Sequence, residues 1–241
     1  SLPFDPFDSS VGAVFSNQLT GATNESFSDV VRGWDAASQV YTNAYKAEGT
    51  GDPAKDGRWF TDFSAWSTSD LSLFPGDGFW VANRHGQTQT VFLCGTVVLS
   101  GTGTVSLLHG LNLVGYPFSG AMTINESALG SAGAGSGDVV TDGETSEQAG
   151  FMDAEQWPPE GQWVDALTNS SALVLELGKG YWYFRADSNS MEWSESRPYD
   201  DLFPADGNPP RVVAMNVTSN QTAMNLEITV TGDVGEKLDI Y

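Results

Sequence analysis

Phe79-Trp80-Val81-Ala82-Asn83, a polar break at His85-Gly86-Gln87, and Thr90-Val91-Phe92-Leu93 carry the signature of a β-hairpin. Aromatic and β-branched residues suit the pleated, half-buried surface of a strand, and a polar stretch with glycine supplies the turn. The pattern continues through Val97-Val98-Leu99, a Gly101-Thr102-Gly103 turn and Val105-Ser106-Leu107-Leu108. Leu111-Asn112-Leu113-Val114-Gly115-Tyr116 then alternates at period two. Helix signals are brief: Asn24 and Asn125 are N-cap residue types and predict one or two turns, to about residues 31 and 130. The stretch 130–150 is nearly all Gly, Ser, Ala, Thr and acid, and predicts a long mobile loop.

Working outward, the chain repeats itself. Val11-Gly12 and Phe15-Ser16 match Val114-Gly115 and Phe118-Ser119, an offset of 103. Asn24-Glu25-Ser26 matches Asn125-Glu126-Ser127 at 101, and Leu71, Leu73, Gly76, Gly78, Phe79-Trp80 match Leu173, Leu175, Gly178, Gly180, Tyr181-Trp182 at 102. A period of this length exceeds a solenoid unit and suits a small domain with its own core. The expectation is an all-β fold of two tandem duplicated antiparallel β domains, 11–99 and 104–199, with short helical turns inserted. An extended arm, 1–10, precedes them. After the hinge Pro204-Ala205-Asp206-Gly207-Asn208-Pro209-Pro210, strands at 211–217, 224–231 and 237–241 make 208–241 a short C-terminal β segment. That segment is a partial sandwich, because an immunoglobulin-like one needs about seven strands and 100 residues.

The run Gly110-Leu111-Asn112-Leu113-Val114-Gly115-Tyr116-Pro117, followed by Leu175-Glu176-Leu177-Gly178-Lys179-Gly180-Tyr181-Trp182, resembles a pattern of secreted bacterial cell-surface repeat proteins. Those pair a GxNLVxxP strand with a distal pGxGyW strand and are of unassigned activity. The resemblance covers roughly residues 11–199. Copy one departs from it, with Val14 in place of Pro117 and no Gly-x-Asn-Leu, so its opening strand is expected to be incomplete or supplied differently. The resemblance implies β structure outside the cell and brings no catalytic residues.

Composition narrows the partners. Thirty-one acids against ten basic residues give a formal charge of −21. Nucleic acid is excluded, since phosphate recognition needs clustered Lys and Arg, and anionic lipid is disfavoured likewise. No apolar run approaches the roughly 18 residues of a membrane span. The start Ser1-Leu2-Pro3-Phe4 is that expected of a processed, exported chain. Five glycosylation triplets, at Asn24, Asn125, Asn169, Asn216 and Asn220, fit the same extracellular, cell-surface location. The single cysteine, Cys94, follows Val91-Phe92-Leu93 and is expected to be a small buried hydrophobe.

No catalytic constellation emerges, and the chain is expected not to be an enzyme. His85 and His109 lie beside glycines in turns, the acids have no signature, and Gly133-Ala134-Gly135-Ser136-Gly137 lacks the lysine of a phosphate cradle. Trp59/Trp163 and Trp80/Trp182 recur in both copies and are assigned to the core. Unrepeated Trp34, Trp66, Trp157 and Trp193 are the ligand-contact candidates, with Tyr41 and Tyr45 close to the first in sequence. Asp52 and Asp56, in Thr50-Gly51-Asp52-Pro53-Ala54-Lys55-Asp56-Gly57, are a weak Ca²⁺ candidate without EF-hand spacing; no other cofactor is expected. The arm residues Leu2, Phe4 and Phe7 are apolar and proline-spaced, as in a donor strand. Two functions follow as expectations. One is a structural subunit of a surface filament or layer, partnered by copies of itself through β-strand exchange. The other is a secreted carbohydrate-binding or adhesion module that contacts polysaccharide through exposed tryptophans.

Overall fold

Alternation of apolar and polar residues lets a strand bury one face while its backbone pairs with neighbours. In the computed structural model these runs form an almost wholly β, sandwich-like chain. The structure describes residues 1–86, 88–97, 101–155, 161–198, 211–220 and 223–231, the last two stretches as backbone. The first part holds β1 (Asp5–Pro6), helix α1 (Val11–Phe15), β2 (Val30–Asp35), β3 (Val40–Lys46), β4 (Trp59–Asp62), β5 (Ser67–Thr68), β6 (Trp80–Ala82) and β7 (Gln89–Thr96). Next come β8 (Thr102–Leu107), β9 (Gly110–Gly115), β10 (Met122–Thr123), β11 (Val139–Asp142), β12 (Gln148–Met152) and β13 (Gln162–Val164). The remaining strands are β14 (Val174–Leu175), β15 (Gly180–Arg185), β16 (Met191–Ser196), β17 (Arg211–Asn220) and β18 (Ala223–Thr231).

Two five-stranded antiparallel sheets dominate, ordered β5-β4-β3-β2-β6 and β13-β12-β11-β15-β9. Four strands run in matching order in each: β4-β3-β2-β6 and β13-β12-β11-β15. A third sheet is β1-β7-β17-β18, and β8–β16 and β10–β14 pair alone. Inward faces carry Val31, Ala44 and Trp59 in the first sheet and Val140, Ala149, Tyr181 and Tyr183 in the second. Phe15 of α1 meets Trp59 and Phe79 at ring centroid distances of 6.4 and 6.0 Å. Buried residues from both halves belong to one contiguous core rather than to one core each.

Strands form at β6, β7, β8 and β9, while residues 98 and 99 of the strand expected at 97–99 lie outside the described residues, and β6 and β7 do not pair. β6 joins β2, whereas β7 lies between β1 and β17 in the other layer. β15 and β16 separate likewise, into the sheets of β11 and β8. Turn residues mark where a strand stops; which layer receives the next one depends on the buried faces. The expected helices at Asn24 and Asn125 are turns, and the one helix among the described residues is α1, where an incomplete opening strand was expected. Ser10 Oγ accepts from the Ala13 amide at 3.3 Å, and the helix stops at Ser16, which has φ +47°. The expected loop 130–150 contains β11 and the start of β12. Asp138, fully buried, organises that stretch. Its carboxylate accepts from Ala186 N at 2.8 Å, Tyr183 Oη at 2.6 Å and Arg185 Nη1 at 2.9 Å. The hinge at 204–210 and the strand expected at 237–241 lie outside the described residues.

The N-terminal arm is seated in its own chain. Leu2 and Phe4 are 0% and 1% exposed. The Ser1 amino group and Oγ donate to Gly178 O and Lys179 O, both at 2.9 Å, and Ser119 Oγ donates to Pro3 O at 2.6 Å. Gly95 leaves the room Phe4 needs, since a Cβ there would overlap the Phe4 ring. Phe7 alone of the three arm residues is exposed. Exchange of this arm between chains would therefore have to withdraw Leu2 and Phe4 from the core. The expectation for Cys94 is corrected. On β7 Val91 and Leu93 face inward, so Phe92 and Cys94 face outward, and Cys94 is exposed.

Two outcomes follow. Phe4→Ala should lower stability by about 3–5 kcal/mol in urea unfolding. A variant of wild-type stability would show that the arm is not part of the core. Burial holds the Tyr181 hydroxyl above its ordinary range, as does burial joined by the Asp138 carboxylate for Tyr183. The unfolded chain therefore loses these protons first, near pH 10, so stability is intact below about pH 10 and declines above it. Tyrosinate absorbance from these two residues should appear only as near-ultraviolet circular dichroism collapses.

Candidate functional site: an aromatic face at the seam of the two sheets

β9 is the last strand of its sheet, yet both of its edges are used. One edge pairs with β15 from Gly110 to Gly115. On the other, the Gln39 carboxamide donates to Leu111 O and accepts from Leu111 N, both at 2.9 Å. Trp34 Nε1 also donates to Leu111 O, at 2.8 Å. Further along, Gly78 N donates to Leu113 O at 3.0 Å and Gly115 N to Gly76 O at 2.8 Å. Gly78 is required here, because a Cβ would stand 2.6 Å from Leu113 Cγ and 2.8 Å from its backbone.

This seam brings aromatic residues of both sheets together. Trp34 and Tyr41 are directly opposed on β2 and β3. Their ring centroids are 4.9 Å apart, and Trp182 of β15 lies 5.1 Å from Trp34 and 6.2 Å from Tyr41, all edge-to-face. Trp34 and Trp182 are half-buried, while Tyr41, Leu111 and Phe184 are exposed. Next to the rings on the same face, Arg32 opposes Asn43 on β3 and Trp80 on β6. Among the described residues Arg32 Nε, Asn43 Oδ1 and Trp80 Nε1 are each buried without a hydrogen-bond partner, as is Trp163 Nε1 in the core. Polar atoms shielded from water normally find partners, so three such atoms at adjoining register positions set this face apart.

Of the tryptophan candidates, Trp34 lies in this cluster. Trp66 is in a separate one, stacked on Phe63 at 4.9 Å with Lys55 Nζ 4.2 Å from its ring centre. Trp193 is 1% exposed and donates to Glu195, so it is core, which corrects its place among the ligand contacts. Trp157 lies outside the described residues. Trp59 and Trp163 are buried, but Trp80 and Trp182 are only half-buried, contrary to their assignment to the core. Trp182 was missed because its recurrence in both copies suggested packing. Arg32 was missed although it shares strand parity with Trp34, two residues on.

The remaining candidates are accounted for locally. Asp56 Oδ1 accepts from Thr50 N and Oγ1 at 2.8 and 2.6 Å, and Asp52 accepts from Ala54 N, 3.6 Å from Lys55 Nζ. These bonds hold the turn itself, and among the described residues no group of three metal-ligating side chains occurs. Asn24 and Asn169 are exposed. Asn125 is not a free acceptor for a glycan: its Nδ2 donates to Trp163 O, Ser170 Oγ and Ser171 O at 3.0–3.2 Å. Asn216 and Asn220 lie on β17, beyond the described side chains. A cavity of about 160 Å³ beside β2 and β3 is bordered by Asp35 and Asp77. Hydrogen bonds, first from Ser38, hold the Asp35 carboxyl below its ordinary range; burial pushes Asp77 up. A raised and a lowered carboxyl are the ingredients of an acid–base pair. Here each is committed to its own turn, Asp35 to Ala37 N and Ser38 and Asp77 to Phe74 N.

Comparison with protein-family models, with curated proteins and with solved structures found no match.

Gln39→Ala removes both bonds to Leu111 and should cost about 1–2 kcal/mol in urea unfolding, with amide exchange at Leu111 accelerated. Unchanged exchange there would mean that the glutamine does not secure the seam.

Proposed function

We propose that this chain is a non-enzymatic, extracellular recognition module that binds saccharide on the face around Trp34, Tyr41 and Trp182. The carrying observation is that these rings gather, part-exposed, on one face that also carries Arg32, a half-buried cation with no carboxylate partner among the described residues. Sugar rings present apolar C–H faces ringed by polar groups, and aromatic surfaces beside a guanidinium complement both features. The non-enzymatic reading is supported by Asp35 and Asp77, whose oxygens hold local turns. The matching strand orders of the two large sheets support tandem duplication, with the binding face made where the copies meet. Self-assembly into a filament or layer is the second reading. It is favoured by β18, which ends its sheet with one edge unpaired among the described residues.

Titration of intrinsic fluorescence with a panel of neutral and acidic oligosaccharides tests the first reading. Saturable quenching is expected, and Tyr41→Ala and Trp182→Ala should each weaken binding by about tenfold, the scale of an aromatic anchor. Absence of binding across the panel, together with sedimentation as a polymer, would favour the second reading.

A further inference from the structure

We infer that the sugar recognised on this face carries a single carboxylate, a uronate within an otherwise neutral oligosaccharide, and that Arg32 binds it. This deepens the saccharide reading and rests on it. Lys46, Lys55, Lys179 and Arg185 each lie within 4.0 Å of a carboxylate. Arg32 has none among the described residues, and its Nε is buried without a partner. Arg58 and Arg84 have none either but are exposed, so among the described residues Arg32 is distinguished as a half-buried guanidinium without a carboxylate partner. Partial shielding of a charge without a counter-charge is unfavourable, and an anionic ligand on the terminal nitrogens relieves it.

Geometry selects the anion. A guanidinium is a planar fork that matches a carboxylate through two parallel hydrogen bonds. Trp34 and Tyr41 lie on the same sheet face, one strand-period along from Arg32 and Asn43. A sugar ring resting on those aromatics therefore brings a substituent towards Arg32. Overall charge limits the ligand to one carboxylate. At −21 the chain repels any negative charge beyond the one that Arg32 neutralises, so a polyuronate or a multiply sulfated chain is disfavoured.

The experiment compares glucuronosyl-xylotriose with xylotetraose, by calorimetry and fluorescence, on the full chain and on Arg32→Gln. The full chain should bind the uronate ligand about tenfold more tightly than the neutral one, the scale of a charge-assisted contact. Arg32→Gln should equalise the two. On the unmodified chain, added salt should erode the preference without weakening the neutral ligand, a reading independent of how the variant folds. Equal, measurable affinities on the full chain would overturn this inference and leave the saccharide reading standing. Binding of neither ligand would remove both. A preference that persists in a folded Arg32→Gln, or that salt does not touch, would overturn the role of Arg32.

Discussion

Strand β9 is bonded along both edges, and the molecule is organised by that constraint. An edge strand offers a row of unpaired amides and carbonyls, which must meet solvent, a neighbour or a cover. Here β15 takes one side, and Gln39, Trp34, Gly78 and Gly76 of the first half take the other, at alternate residues Leu111, Leu113 and Gly115. The register of one half is thereby fixed against the other. Because β9 is paired this way, Trp182 can stand 5.1 Å from Trp34, although the two residues are 148 positions apart (182 − 34). The same register leaves the N-terminal residues a slot against Gly178 and Lys179.

The aromatic face differs from an ordinary core surface in its polar neighbours. A sheet face that only packs would be expected to lack buried orphan donors, since each shielded group without a partner is unfavourable by about 1–3 kcal/mol. Among the described residues Arg32, Asn43 and Trp80 carry such atoms at adjoining register positions, and Trp163 Nε1 in the core is another. Elsewhere buried charge is compensated: Asp138 has Arg185 and Tyr183, and Lys46 donates to Leu19 O.

Strand content was legible because alternation is local: β7, β9 and the backbone spans of β17 and β18 fall on runs whose period is visible in the residues. Layer assignment was not. The residues between β6 and β7 fit a tight turn, and only the partners of the buried faces decide that the chain crosses to the other sheet. Residues 130–150 concealed two strands because Val139-Val140 is brief within a window of small residues. Its informative feature is the adjoining Asp138, since Asp138-Val139-Val140 echoes Asp29-Val30-Val31, the start of β2. Half of the site was visible in Trp34 and its neighbour Tyr41. Trp182 and Gln39 were not, because their role exists only across the seam.

The carboxamide at the seam has a counterpart. Gln18 binds Phe92 on β7 as Gln39 binds Leu111, donating to the carbonyl at 2.7 Å and accepting from the amide at 2.6 Å. Each side chain imitates one residue of a strand, offering a donor and an acceptor side by side. Glutamate has the same shape but lacks the donor, and would set an oxygen against a carbonyl oxygen. At these two places the enrichment in acid that characterises the chain meets a limit. Slow hydrolysis of either amide would convert a clasp into a repulsion, so chemical ageing of two glutamines acts directly on how the sheet edges are closed.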